Sequence, residues 1–140
     1  MKTDEAPLYI HAYDLAKWLI RRGQRFPKSQ RFVLALRIQN CALDLLDDVV
    51  LALVERDGRS ARLHAADRSL TRLRLYLRLA HDLELLSDRQ RDDSSRATGE
   101  LGRMLGGWLR QLRDEPSQDH GPEGRPSRPG AGVARRRLER

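Results

Sequence analysis

The chain has 140 residues, a formal net charge of +7 and a sequence pI of about 10.4. This length suits one compact domain, the single cysteine excludes an internal disulfide, and no apolar run approaches the ~20 residues that span a bilayer. Because the N-terminus carries acids and is unlike a signal peptide, we expect a cytoplasmic protein. The positive charge favours an anionic partner such as nucleic acid. A solvated basic surface without a ligand is the alternative.

Two helices are predicted in the first part of the chain. The first covers about residues 8–22, and the second follows Phe26 and Pro27 and continues to about Glu55, because proline is well tolerated in the first turn of a helix. Recurrence at helical spacing selects core candidates in both. They are Leu8, Tyr9, Ala12, Ala16, Leu19 and Ile20 in the first helix and Phe32, Leu36, Leu43, Leu46, Val50 and Leu53 in the second.

The third predicted helix follows a turn at Asp57 and Gly58, takes Ser60 as its N-cap, and runs to about Ser87. Its apolar side chains cover more than half of the circumference, a wider arc than a surface helix of a small bundle has. They are Leu70, Leu73, Tyr76, Leu77, Leu79, Ala80, Leu83 and Leu86. This arc predicts burial on two sides, either in the centre of a bundle or at a subunit contact.

Arg74 and Arg78 lie one turn apart in the narrow polar sector of the third helix. Two guanidinium groups placed in this way form a compact anion site, because each offers a planar set of N–H donors. The alternative is a pair of solvated arginines, or of arginines in salt bridges with Asp67 or Asp82.

The polar residues 88–95 predict a loop, and Ser94 or Ser95 would then cap a fourth helix that ends near Asp114. One side of this helix predicts the core stripe of Leu101, Met104, Leu105, Trp108, Leu109 and Leu112. The opposite side carries Arg96, Arg103 and Arg110. A third strip consists of Gly99, Gly102 and Gly106. Because interior glycines usually need an explanation, the strip predicts the close approach of another backbone, as at an oligomer contact; a weak helix start is the alternative.

Residues 116–140 differ from the rest of the chain. They carry six arginines and three acidic residues but almost no apolar side chains, so little offsets the entropy of ordering them. The predicted organisation is therefore an all-α bundle of four helices over residues 1–115 and a disordered, basic tail over residues 116–140.

No catalytic motif occurs in the sequence. The chain lacks the glycine-rich phosphate loop GxxxxGK[ST] and the nucleophile elbow GxSxG. Cys41 lies in an apolar helix, which predicts a small core residue. Di-iron bundles need Glu-x-x-His pairs, whereas His64 and His81 precede their acidic neighbours. We therefore expect no enzyme activity, no metal and no cofactor.

Several segments resemble the accessory variability determinant proteins of diversity-generating retroelements, within the wider four-helix-bundle family that includes the 23S rRNA intervening-sequence proteins. The matching segments lie in order over about residues 8–112. They are YDLAKWL at 13–19, FPKSQRF at 26–32, LLD at 45–47, the LRxxxRL pattern at 73–79 and ELGRMLGGW at 100–108.

The resemblance implies more than spacing can show. Its retroelement members are up-and-down four-helix bundles without enzymatic activity, which assemble as pentameric barrels with a basic surface. They associate with the reverse transcriptase and with nucleic acid during mutagenic retrohoming. Arg74 and Arg78 match basic positions of the family pattern, and Arg103 matches less distinctively.

The leading hypothesis is a homo-oligomeric accessory protein, pentameric by resemblance, that binds reverse transcriptase and RNA or DNA. The residues expected to contact phosphates or the partner are Arg74, Arg78, Arg103, Arg110, Arg21, Arg22, Arg25, Lys28 and Arg31. The residues expected at the oligomer contact are Gly99, Gly102 and Gly106. The alternative hypothesis is a structural or protein-interaction bundle with no direct role in nucleic-acid binding.

Overall fold

The computed structural model describes residues 6–114, and all four predicted helices are present. Helix α1 is Pro7–Gly23 and helix α2 covers residues 28–54. Helix α3 is Arg59–Asp82 and helix α4 is Asp88–Asp114. The predicted all-α, four-helix fold is confirmed. The predicted boundary at residue 115 and the predicted disordered tail at residues 116–140 lie outside the described residues.

The helices run up and down, so that each is antiparallel to the next. Arg37 of α2 meets Tyr76 of α3, and Asp48 further along α2 meets Arg62 earlier in α3. Arg74 near the end of α3 likewise reaches Thr98 of α4. As a consequence, the α1–α2 connection and the α3–α4 connection lie at the same end of the bundle.

The centre of the bundle is a leucine core to which all four helices contribute. Its largest fully buried side chains are Leu19, Leu45, Leu63, Leu70, Leu73, Leu101, Leu105 and Val49. Full burial of one such side chain stabilises the fold by roughly 1.5–3 kcal/mol. Cys41 is buried with this cluster, as predicted for a small core residue.

Helix α2 has two apolar faces, and the sequence prediction selected residues from both. The helix comprises a short turn at Lys28–Gln30, a π-helical segment at Arg31–Ala35 and the α-helix Leu36–Val54. Its buried face carries Leu34, Ala35, Ile38, Cys41, Ala42, Leu45, Val49 and Ala52. The predicted core positions Phe32, Leu36 and Leu43 are wrong, because they are exposed by 81%, 44% and 39%.

The ends of α3 differ from the prediction. Its N-cap is Gly58, with a left-handed φ of 79° that favours glycine, and the predicted cap at Ser60 is wrong. The side chain of Arg59 donates to the backbone oxygen of Ala52 at 2.6 Å and so satisfies a free carbonyl at the end of α2. The helix stops at Asp82 and not at Ser87.

Helix α4 begins seven or eight residues earlier than predicted, so the predicted loop at residues 88–95 is wrong. The backbone N–H of Gln90 donates to the hydroxyl of Ser87 at 3.1 Å, and the side chain of Gln90 accepts from the N–H of Ser87 at 2.9 Å. This reciprocal capping box starts the helix. Ser94 and Ser95 therefore lie inside α4 and do not cap it.

None of the described helices combines the length and the apolar character needed to cross a membrane.

Candidate nucleic-acid interface

Helices α3 and α4 enclose an open groove of about 560 Å³ between them. Arg74, Arg78 and Arg91 line it, together with His81 and Asp82. The structure thus brings the two arginines that the sequence singled out to one surface and adds a third. Sequence reasoning missed Arg91 because it lies in the segment predicted to be a loop.

Arg74 bridges the two helices across this α3–α4 groove. Its Nη2 donates to the backbone oxygen of Thr98 at 2.9 Å. A Cβ atom placed on Gly102 would lie 2.6 Å from the same Nη2, so glycine provides the space for the guanidinium. Because arginine has five N–H donors, the bridge leaves others available to an anion.

Arg78 is exposed on the surface one turn further along α3. Among residues 6–114, no carboxylate lies within salt-bridge distance of Arg74 or Arg78. The alternative that Asp67 or Asp82 neutralises these arginines therefore finds no support in the described part of the chain. Arg91, by contrast, lies 3.1 Å from the carboxylate of Asp92.

A histidine and a carboxylate mark the end of the groove near the α3–α4 connection. The Nε2 of His81 lies 2.7 Å from an oxygen of Asp88. This hydrogen bond, followed by the charge of His81 and a smaller effect of Arg91, lowers the pKa of Asp88 below its ordinary value. Asp88 is therefore a carboxylate at neutral pH, and the positive end of the groove lies toward Arg74 and Arg78.

The remaining predicted arginines of α4 are placed differently. Arg103 forms a salt bridge with Glu100, one turn before it, which neutralises much of its charge. The guanidinium of Arg110 lies beside Gly106, 3.5 Å from where a Cβ atom would be. Neither residue lines the α3–α4 groove.

The glycine strip on α4 has arginine side chains as its neighbours within this chain. Gly102 packs against the guanidinium of Arg74, where the sequence had suggested another backbone. The nearest side-chain atoms at Gly99 and Gly106 belong to Arg103 and Arg110 of the same helix. The assignment of the strip to an oligomer contact stays a prediction.

The cations of the α1–α2 connection form a second basic surface at the same end as the α3–α4 connection. Arg21, Arg25 and Lys28 are exposed. The guanidinium of Arg22 is half-buried 5.5 Å from the centre of the Trp18 ring, and Arg31 donates from Nε to the backbone oxygen of Phe26 at 3.0 Å. Arg22 and Arg31 thus have structural contacts as well as charge.

No cluster of metal-ligating side chains occurs within residues 6–114, where no three His, Cys, Asp or Glu residues come together in a way that could hold an ion.

No curated protein matches the chain. A family model described as bAvd-like matches residues 9–112. The match extends through all four helices and agrees with the resemblance to accessory variability determinant proteins. The chain therefore belongs to the bAvd-like family.

Proposed function

We propose that this chain is a non-catalytic accessory protein of a diversity-generating retroelement, which binds the reverse transcriptase and nucleic acid to support mutagenic retrohoming. The bAvd-like family is one of accessory, non-catalytic proteins, and membership in it suggests this accessory role. Binding of nucleic acid is proposed from the charges on the bundle, and binding of the reverse transcriptase is proposed from its exposed apolar side chains.

The observation that carries the nucleic-acid part is the unneutralised pair Arg74 and Arg78 in the α3–α4 groove. Arginine at such a position binds phosphate oxygens through several N–H donors at once. The exposed cations of the α1–α2 connection form a second basic surface, at the end of the bundle that also holds the α3–α4 connection. Contacts of this kind depend on phosphate and not on base sequence.

The protein-binding part of the proposal is supported by apolar side chains that the bundle leaves in water. Leu75 and Leu79 of α3 and Leu83, directly after its last residue, recur every four residues and are exposed by 44–60%. Contiguous apolar surface of this kind is typical of protein contacts. We propose that it serves a homo-oligomer, pentameric by family resemblance, and that the oligomer also contacts the reverse transcriptase.

The experiment measures the affinity of the full chain for a labelled RNA by fluorescence anisotropy between low and moderate salt. Affinity should fall steeply with salt, because bound cations release counterions from the phosphates. The variant Arg78→Ala should bind more weakly and lower the slope of log affinity against log salt by about 0.7–0.9, the value for one phosphate contact. Arg74→Ala should also weaken binding.

Arg96→Ala is the matched control, because it removes the same charge from an exposed arginine that is already paired with Asp93. It should change affinity and slope less than Arg78→Ala. Equal effects of both variants would contradict a specific role for the groove. If Arg74→Ala and Arg78→Ala both bind RNA like the native chain, RNA binds to another part of the chain, most simply the arginine-rich residues 116–140.

A protein-interaction module without a nucleic-acid role is the second candidate function, and the exposed leucines of α3 favour it. Absence of RNA and DNA binding at low salt would support this candidate over the first. A reverse transcriptase gene with a pair of near-identical repeats beside the gene for this chain would support the retroelement role.

A further inference from the structure

The most exposed large apolar side chains of the described residues lie together at the start of α2. Phe32 is 81% exposed and the adjacent Val33 is 63% exposed. Both belong to the π-helical segment Arg31–Ala35, and such segments are frequent at functional sites. The Phe32 ring is therefore accessible to a ligand from outside the bundle.

The residues that flank Phe32 in the sequence are basic. Residues 15–43 contain seven cations and no acidic residue. Arg25, Lys28 and Arg31 are exposed near the ring in sequence, and Lys28 precedes Phe32 by one helical turn. No carboxylate of residues 6–114 forms a salt bridge with any of these three cations. The surface is therefore complementary to a polyanion that also offers flat apolar groups.

Single-stranded nucleic acid has both properties. Its phosphates track along basic surface while its unpaired bases stack on aromatic rings, and stacking tolerates any base because each has a π-face. A duplex hides these faces inside its own stack. We propose that Phe32 stacks on an unpaired base of a single-stranded segment, whose flanking phosphates contact Arg25 and Lys28.

This inference rests on the proposed nucleic-acid function and deepens it, because it names the form of nucleic acid and a residue that recognises it. The arginines of the α3–α4 groove have polar groups and the aliphatic side chain of Leu77 as neighbours, whereas the start of α2 adds an aromatic platform. A second copy of the chain is less suited to this patch than to the exposed leucines at positions 75, 79 and 83. The exposed cations Arg25, Lys28 and Arg31, which are near Phe32 in sequence, would repel the same cations of a partner.

The experiment compares the full native chain with Phe32→Ala, Phe32→Leu and Phe32→Tyr. The probes are a 15-nucleotide single-stranded RNA that contains 2-aminopurine and the same sequence as a duplex. Loss of one stacked base corresponds to a fall in affinity of about 5- to 140-fold. Phe32→Ala and Phe32→Leu should show this fall for the single strand and leave duplex affinity unchanged, whereas Phe32→Tyr should bind normally.

Val33→Ala is the control, because it truncates the neighbouring exposed side chain without removing a ring. It should bind the single strand like the native chain, and the change of 2-aminopurine fluorescence on binding should be lost only in Phe32→Ala and Phe32→Leu. Native-like single-strand affinity in Phe32→Ala, while the native chain binds, would overturn stacking and leave the proposed function intact.

Two further outcomes would also overturn the inference. If Phe32→Leu binds normally, an apolar contact and not stacking is involved. If Phe32→Ala changes the mass of the protein in solution, as measured by light scattering, Phe32 belongs to a subunit contact. No binding of either probe by the native chain would overturn both this inference and the nucleic-acid part of the proposed function.

Discussion

The contact between Arg74 and Gly102 joins two segments that carry the family resemblance, LRxxxRL in α3 and ELGRMLGGW in α4. Replacement of glycine by alanine inside a helix normally stabilises it by about 1 kcal/mol. At Gly102 the new Cβ would displace the guanidinium and break its bond to Thr98, which costs about 1 kcal/mol. We expect Gly102→Ala to leave the free energy of unfolding in urea nearly unchanged.

Gly99→Ala is the comparison, because a Cβ atom there meets nothing nearer than 4.0 Å. It should stabilise the chain by about 1 kcal/mol. In the Arg74→Ala background, Gly102→Ala should recover the same gain, so that the double-mutant cycle reports a coupling of about 1 kcal/mol. A cycle without coupling would contradict the packing of Arg74 on Gly102.

Residue-scale features of this site could be predicted only in part. Arg74 and Arg78 are predictable because they occupy most of the narrow polar sector of an otherwise apolar helix. That Arg74 would also reach the backbone oxygen of Thr98 has no signal in the sequence, because an interhelical contact depends on packing. Phe32 was assigned to the core because periodicity identifies an apolar face and cannot say whether a neighbour covers it.

The start of α4 is set by its capping box and not by apolar periodicity. Ser87 and Gln90 each accept a hydrogen bond from the backbone N–H of the other. Loss of a serine cap costs roughly 0.5–2 kcal/mol. We expect Ser87→Ala to lower the free energy of unfolding by about 1 kcal/mol, and hydrogen exchange to become faster mainly in the first turns of α4.

Ser95→Ala is the matched control, since Ser95 is exposed inside α4 and was one of the two caps predicted from the sequence. It should leave stability unchanged or raise it slightly, because alanine has the higher helix propensity. A larger loss in Ser95→Ala than in Ser87→Ala would place the start of the helix where the sequence prediction had it.

The number of helices can be predicted from the sequence more accurately than the residues at which α3 ends and α4 begins. Residues 88–93 are polar on every side, so periodicity gives no signal there, although Ser87 and Gln90 have the spacing of a capping box. The end of α3 was placed too late because Leu85 and Leu86 continue its apolar pattern. Glu84 instead takes a left-handed φ of 64° and ends the helix.

On the scale of the whole molecule, the four helices and the leucine core can be predicted from apolar periodicity. Whether an apolar outer face is exposed or covered by another chain cannot. The wide apolar arc of α3 predicted burial on two sides. One side is the bundle core, and the other, with Leu79 and Leu83, is exposed in the single chain. A single sequence cannot distinguish a face that a neighbouring helix covers from one that a second chain would cover.

These exposed leucines lead to the prediction for the assembly. Leu75, Leu79 and Leu83 form one apolar stripe, and a charge in the middle of such a stripe would lose its solvation when a partner covers it. We expect the native chain to have, in light scattering, a mass of several times 16.1 kDa, five times if the family resemblance extends to assembly. The variant Leu79→Glu should fall to the mass of one chain while it keeps its helical circular dichroism.

Gly99→Ala tests the competing contact at the glycine strip. Because the guanidinium of Arg110 borders the strip, self-association there would bring like charges together. The exposed leucines at positions 75, 79 and 83 instead offer apolar area that association removes from water. Gly99→Ala should therefore keep the native mass. If Gly99→Ala has the mass of one chain and Leu79→Glu keeps the native mass, the subunit contact lies at the glycine strip. If the native chain is itself a monomer, the proposed oligomer is wrong.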